Sequence, residues 1–147
     1  MSVDIEVVQE ASDEVAGALA RLLPQLSTSA QPPDKAAVQK IVASEATTLL
    51  AARLDGKIVG FLSLAMFPIP TGFRAWIEDV VVDGTVRGQG IGEALTRKAL
   101  GLAEAAGART VDLTTRPQRE AAGRLYERVG FVTRSTRNYR YTFDRPG

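Results

Sequence analysis

The sequence predicts a mixed α/β fold, a twisted sheet with parallel and antiparallel strand pairs and helices on both sides. Asp55-Gly56 separates two apolar runs and is the dipeptide best suited to a tight hairpin, so antiparallel strands are expected there. "FRAWIEDVVV" (Phe73–Val82) is followed by a helical apolar pattern and then by "RTVDLTT" (Arg109–Thr115), the strand–helix–strand order of a parallel, right-handed crossover. With 147 residues and no linker-like, repetitive or low-complexity stretch, the chain reads as one domain, residues 1–147.

Each element has its own local reason. "VDIEVV" (Val3–Val8) alternates and predicts a strand. Ser12 suits the N-cap of a helix to about Leu23, where Pro24 should disrupt it. "STSAQPPD" (Ser27–Asp34) is a loop, and its two prolines precede a second helix, Asp34 to Ala43. "TTLLAARL" (Thr47–Leu54) and "KIVGFLSLAMF" (Lys57–Phe67) are the hairpin strands, and "PIPTG" turns the chain into Phe73–Val82. Ile91, Leu95, Ala99, Leu102 and Ala106 recur at helical spacing until Gly107. Gln118 to Val129 is expected to be helical with Gly130 as its cap, and "NYRYTF" (Asn138–Phe143) alternates as a closing strand.

Composition removes whole classes of chemistry. The chain has no Cys and no His. Disulfides, thiolate nucleophiles, His bases and His- or thiolate-bound metals are therefore excluded, and proton transfer falls to Asp, Glu, Tyr, Lys or water. The missing cysteines, an acidic start without a signal-peptide pattern, and no apolar run near ~20 residues all point to the cytoplasm. Residues 1–60 carry a net charge of −3 and residues 61–147 one of +4, with 12 Arg among the 13 bases of the second part. Such a surplus suits a phosphorylated ligand, and equally a solvated basic face.

The densest chemical signal is "VVVDGTVRGQGIG" (Val80–Gly92), where a strand hands over to a helix. Glycines there allow close backbone approach, the helix start offers free N–H groups, and Arg87 adds a fixed positive charge; together these suit a pyrophosphate. A Walker loop fails, because the fifth residue after Gly84 is Gln89 and after Gly88 is Glu93. The dinucleotide fingerprint fails as well, because Glu93 occupies its sixth place. What remains is Arg-Gly-x-Gly-x-Gly, or else a tight turn without a ligand.

The stretch "WIEDVVVDGTVRGQGIGEALTRKAL" resembles motif A of the GCN5-related N-acetyltransferase (GNAT) family, and "AAGRLYERVGF" (Ala121–Phe131) resembles its motif B, Leu-Tyr-Glu-x-x-Gly-Phe. The two stand in the family's order, and the likeness covers about residues 47–143. It implies the GNAT fold, a mostly antiparallel twisted sheet of about six to seven strands, and a transferase that uses acetyl-CoA as co-substrate and no metal. The implied reaction is direct transfer, in a ternary complex, to a primary amine of a small molecule or peptide. A non-catalytic acyl-CoA-binding regulatory module on the same fold is the alternative. Nucleic acid and membrane are not expected partners, and a homodimer is admissible.

By the same resemblance, the pantetheine arm would pair with main-chain groups of Val80, Val81 and Val82. The pyrophosphate would rest on Gly88, Gln89, Gly90, Ile91 and Gly92 beside Arg87. Tyr126 matches the family's general acid for the departing thiolate, although an aromatic packing with Leu125, Val129 and Phe131 is its structural alternative. Glu78 matches the expected base, often acting through a water, with Asp79 as rival and surface ion pairing as the structural alternative for both. Strict alternation separates the two carboxylates onto opposite faces, and a bulge, frequent in this strand of the family, would shift that phase. A backbone N–H near Val80 would polarise the thioester carbonyl. Many family members have an Asn seven residues before the motif-B Tyr; here it is Arg119, which meets either a CoA phosphate or solvent. Candidate acceptor walls are Leu22–Leu26, the "FPIPTGF" hairpin (Phe67–Phe73), Trp76, Asn138 and Tyr139.

Overall fold

Asp55 and Gly56 both take positive φ, 52° and 83°, the backbone twist that joins two antiparallel strands through two residues. In the computed structural model they link β2 (Thr47–Leu54) to β3 (Lys57–Ile69). The structure describes residues 2–116 and 119–145. The chain divides into two units, residues 1–114 and 115–147.

The first unit holds the sheet. Its other elements are β1 (Val3–Val7), α1 (Asp13–Leu26), α2 (Lys35–Ala43), β4 (Gly72–Val82), a 3-10 turn at Gly84–Val86, α3 (Ile91–Ala105) and β5 (Thr110–Asp112). The strands lie in chain order, β1-β2-β3-β4-β5. The first three pairings are antiparallel, and β4 pairs with β5 in parallel, as the crossover pattern requires.

Helices cover both faces. Phe61 of β3 packs in one cluster with Val15, Leu19 and Leu22 of α1 and Val38 of α2. Its neighbour Gly60 faces the opposite way, and a Cβ there would meet Leu95 and Ile91 of α3 at 3.3 and 3.6 Å. Successive strand residues alternate sides, so α1 and α2 cover one face and α3 the other. Leu22, Leu50, Leu62, Leu64 and Leu95 are fully buried, and truncating any one to Ala removes on the order of 2–5 kcal/mol.

Local caps place the helices. Ser12 accepts from the Val15 N–H at 3.1 Å, and Asp34 from that of Ala37 at 2.8 Å. Pro24 does not end α1, which runs on to Leu26. Proline removes one hydrogen bond to the preceding turn, but here the last turn is held from outside. Leu23 and Leu26 pack on the core cluster, and the Gln25 side chain accepts from the Gly84 N–H at 2.8 Å.

The second unit contains α4 (Glu120–Val129), capped by Gly130 at φ 122°. The expected start of this helix at Gln118 lies outside the described residues. Among the described residues the sheet has five strands, against the six or seven expected. The segment expected as a strand, Asn138–Phe143, has no ladder, and Tyr139, Tyr141 and Phe143 are exposed. Alternation gives a segment two faces, but a strand also needs a neighbour for its N–H and C=O groups. Tyr141 and Phe143 instead meet edge to face, 5.1 Å between ring centroids.

Candidate functional site

The site of the first unit is built on an interruption in β4. Phe61 pairs with Val81 and Ser63 with Glu78, so Asp79 and Val80 together face the single residue Leu62. This is a β-bulge, and it leaves the extra residue out of the ladder and bends the strand. Asp79 takes φ 48°, a left-handed conformation that Asp tolerates better than most side chains. The bulge changes the phase along β4, and Glu78 and Val81, three apart, both oppose residues of β3 that point to the α1–α2 side.

The other edge of β4 is open over the same stretch. Pairing with β5 covers only Arg74, Ala75 and Trp76. Among the described residues no strand lies beside Ile77–Val82 on that edge. Open main-chain donors and acceptors can pair with an extended ligand, as an added strand would. Val81 is buried while Val80 and Val82 are half-buried, so the side chains hold the strand and the backbone remains to bind.

Beyond Val82 the chain turns in a supported loop. Asp83 is buried; its Oδ1 accepts from the Thr85 N–H at 3.1 Å and the Thr85 hydroxyl at 3.0 Å. The Thr85 N–H, aided by Gln25 and Arg21, holds the Asp83 carboxyl below the usual carboxylate range against the effect of burial. Arg21 lies 3.7 Å from Asp83 and also donates to the Ile58 carbonyl at 2.9 Å. None of Arg21, Gln25 or Asp83 was expected to serve this loop; the one local signal is the Asp-x-Thr spacing of an Asx turn.

The predicted phosphate loop follows. Arg87, Gly88, Gln89 and Gly90 are all exposed, and Ile91 anchors the helix start in the core. Gly88 and Gly90 take φ 84° and 77°, which a side chain would oppose. Gly90 is the N-cap of α3 and supplies no capping side chain, and Gly92 lies in the first turn. The first-turn N–H groups therefore face outward with the positive end of the helix dipole, an arrangement suited to an anion. Glu93, also in that turn, is bound by Arg97 at 3.0 Å.

A cavity of about 230 Å3 opens on the α1–α2 side of the sheet. Leu19, Leu23 and Leu26 of α1, Ile41 of α2, and Leu49 and Phe61 of the sheet give it an apolar wall. Ser63 and Asp79 line it as well, so the bulge reaches the cavity. Of the acceptor walls expected from sequence, Leu23 and Leu26 belong to this lining, whereas Leu22 is fully buried in the core. Phe67–Phe73 and Trp76 do not line it; Phe67–Ile69 and Gly72–Phe73 extend β3 and β4, with only Pro70 and Thr71 in the turn.

In the second unit, Tyr126 lies on α4 with Phe131 edge-on at 5.7 Å. Burial pushes its phenol above the ordinary value, partly opposed by the charge of Arg119. Arg119 is the residue before α4 and lines a shallow cleft with Arg116, Arg124 and Glu127. Among the described residues no helix is long and apolar enough to cross a membrane, and no Asp/Glu cluster suits a metal.

The chain matches the acetyltransferase (GNAT) family over residues 16–131. It is 31% identical over 112 residues to the N-alpha-acetyltransferase RimI of Mycobacterium tuberculosis, a match covering 76% of this chain and 69% of that protein. It is also similar to the crystal structure of a ribosomal-protein-alanine N-acetyltransferase from Brucella melitensis, with 26% identity, TM-score 0.77, and coverage of 97% and 99% of the two chains. A transcriptional regulator from Bacillus halodurans has 30% identity and TM-score 0.78, with 97% and 100% covered. A strand bulged and open at one edge, running into an uncapped glycine turn, thus occurs in a chain that belongs to the GNAT family and is an N-acetyltransferase.

Proposed function

We propose that this N-acetyltransferase takes its acetyl group from acetyl-CoA and passes it directly to a primary amine, the α-amine of a peptide or protein being favoured over a small-molecule amine. The β4 bulge carries this reading, because it joins an open strand edge, a phosphate-suited loop and an acceptor-sized cavity in one unit. The names of two relatives, an N-alpha-acetyltransferase and a ribosomal-protein-alanine N-acetyltransferase, support the α-amine.

In this mechanism the pantetheine arm pairs with the open edge of Val80, Val81 and Val82, and the pyrophosphate rests on Gly88 to Gly92 beside Arg87. Glu78, directly or through a water, takes a proton from the acceptor ammonium. The freed lone pair attacks the thioester carbonyl carbon, and the bulge N–H near Val80 stabilises the developing oxyanion. Collapse breaks the C–S bond, the Tyr126 phenol protonates the departing thiolate, and the nitrogen loses its second proton to solvent as the amide forms. The products are an amide and free CoA; Glu78 releases its proton to solvent and Tyr126 regains one from it, so the net release is one proton. The absence of Cys and His from the chain favours this direct route over an acyl-enzyme.

A panel of amines assayed with acetyl-CoA for released thiol tests this reading. Turnover with peptide α-amines is expected. Tight CoA binding with no turnover on any amine would favour the acyl-CoA-binding regulatory module.

A further inference from the structure

We propose that the 230 Å3 cavity beside the β4 bulge is a specificity pocket for one apolar side chain of the acceptor, and that Asp79 at its wall holds the acceptor's ammonium. This rests on the N-acetyltransferase reading above and names the substrate class: an α-amine whose first residue carries a medium-sized aliphatic group, Leu or Met rather than Ala, Ser or an amino sugar.

Size sets the first limit. Pockets for drug-sized ligands run about 300–1,000 Å3, and this cavity is smaller. Its volume matches a side chain better than a whole aminoglycoside-like molecule. Lining chemistry sets the second. Leu19, Leu23, Leu26, Ile41, Leu49 and Phe61 make most of the wall, and Ser27, Gln31 and Ser63 are its uncharged polar members. An aliphatic group that lies against the apolar side chains gains from the area it buries, at about 0.8 kcal/mol per methylene.

Charge sets the third limit. Asp79 is the only charged residue of the lining, and it has no ion-pair or hydrogen-bond partner among the described residues. The bulge turns it out of the ladder at φ 48°. A cationic amine attached to an apolar group is complementary to both features at once. The amine would then lie at the bulge, beside the open edge of β4 where the donor arm is proposed to pair.

The test uses peptides that differ only in their first residue (Gly, Ala, Val, Leu, Met, Ser, Lys) together with glucosamine. Acetyl transfer is measured, and binding of the corresponding amino-acid amides to the CoA-loaded protein is measured by calorimetry. Each buried methylene should raise kcat/KM and affinity about fourfold, so Leu should exceed Ala by at least about tenfold. Ala30→Trp, an exposed lining position on the segment between α1 and α2, should bring the Leu-to-Ala ratio towards one. Asp79→Asn keeps a residue that tolerates the left-handed backbone and should weaken leucinamide binding about tenfold, while leaving the neutral N-acetyl-leucinamide unchanged. A flat series, a preference for Ser, Lys or glucosamine, or a ratio untouched by Ala30→Trp would overturn the pocket. If leucinamide binds in an Ala30→Trp-sensitive manner but no amine is acetylated, the pocket stands and the transferase mechanism falls. If amines are acetylated without the side-chain preference, the reverse holds.

Discussion

Tyr126 combines a packing contact with the acid role proposed for it. Its ring meets Phe131 edge-on, and the burial that makes this contact also raises its pKa. A raised phenol pKa keeps the proton in place at neutral pH, the state a general acid needs. Tyr126→Phe should lower kcat more than it raises KM for acetyl-CoA. Since the folded pKa lies above the ordinary value of about 10, the wild-type alkaline limb of kcat should fall above pH ~10 and be lost in the variant; an unchanged kcat would remove the acid role. Glu78 is exposed and paired in the ladder with Ser63, so no packing explains its place in the strand. Glu78→Gln should abolish the acidic limb of the pH–rate profile, and a retained limb would pass the base role to Asp79 or water. The sequence singles out both residues as candidates, and their roles are those proposed above. Their surroundings were not legible there, because Asp83, Gln25 and Arg21 reach the glycine loop from distant stretches of chain.

At the scale of elements, the decisive feature is a two-for-one step in β4. A period-two pattern reveals a strand but not where it slips, so Glu78 and Asp79 fell on opposite faces by strict alternation. The structure turns Asp79 to the cavity wall and leaves Glu78 opposite Ser63 on that same side of the sheet. Helix α1 teaches a related lesson: Pro24 was read as a stop, and contacts from Gln25 and Leu26 carry the helix past it. The hairpin at Asp55-Gly56, the caps Ser12 and Asp34, and the glycine turn were legible because each is a local requirement of backbone geometry. That locality makes the turn testable with a matched pair. Gly90→Ala places a Cβ at φ 77° and should cost about 1–2 kcal/mol, with KM for acetyl-CoA rising several-fold. Gly101→Ala lies in mid-α3, where an added Cβ would meet nothing, and should stabilise by about 0.5–1 kcal/mol with KM unchanged. Thermal unfolding and steady-state kinetics on the two variants separate loop geometry from general stability.

For the whole molecule, the fold class was legible and the strand count was not. Alternation at Asn138–Phe143 resembles a strand, yet those residues find no ladder. A polar–apolar rhythm carries no information about a partner that must come from elsewhere in the chain. The Arg-rich second part of the sequence likewise divides in the structure: Arg97 and Arg124 pair with Glu93 and Glu120, whereas Arg87 is exposed on the glycine loop. Among the described residues, a five-stranded sheet thus presents an edge of β4 that is open where β5 ends, the edge proposed above to take the donor arm. Amide hydrogen exchange with and without acetyl-CoA tests that claim most directly. The account predicts slowed exchange concentrated at Val80–Val82 and Gly88–Gly92. Unchanged exchange in both segments, with protection elsewhere, would contradict it.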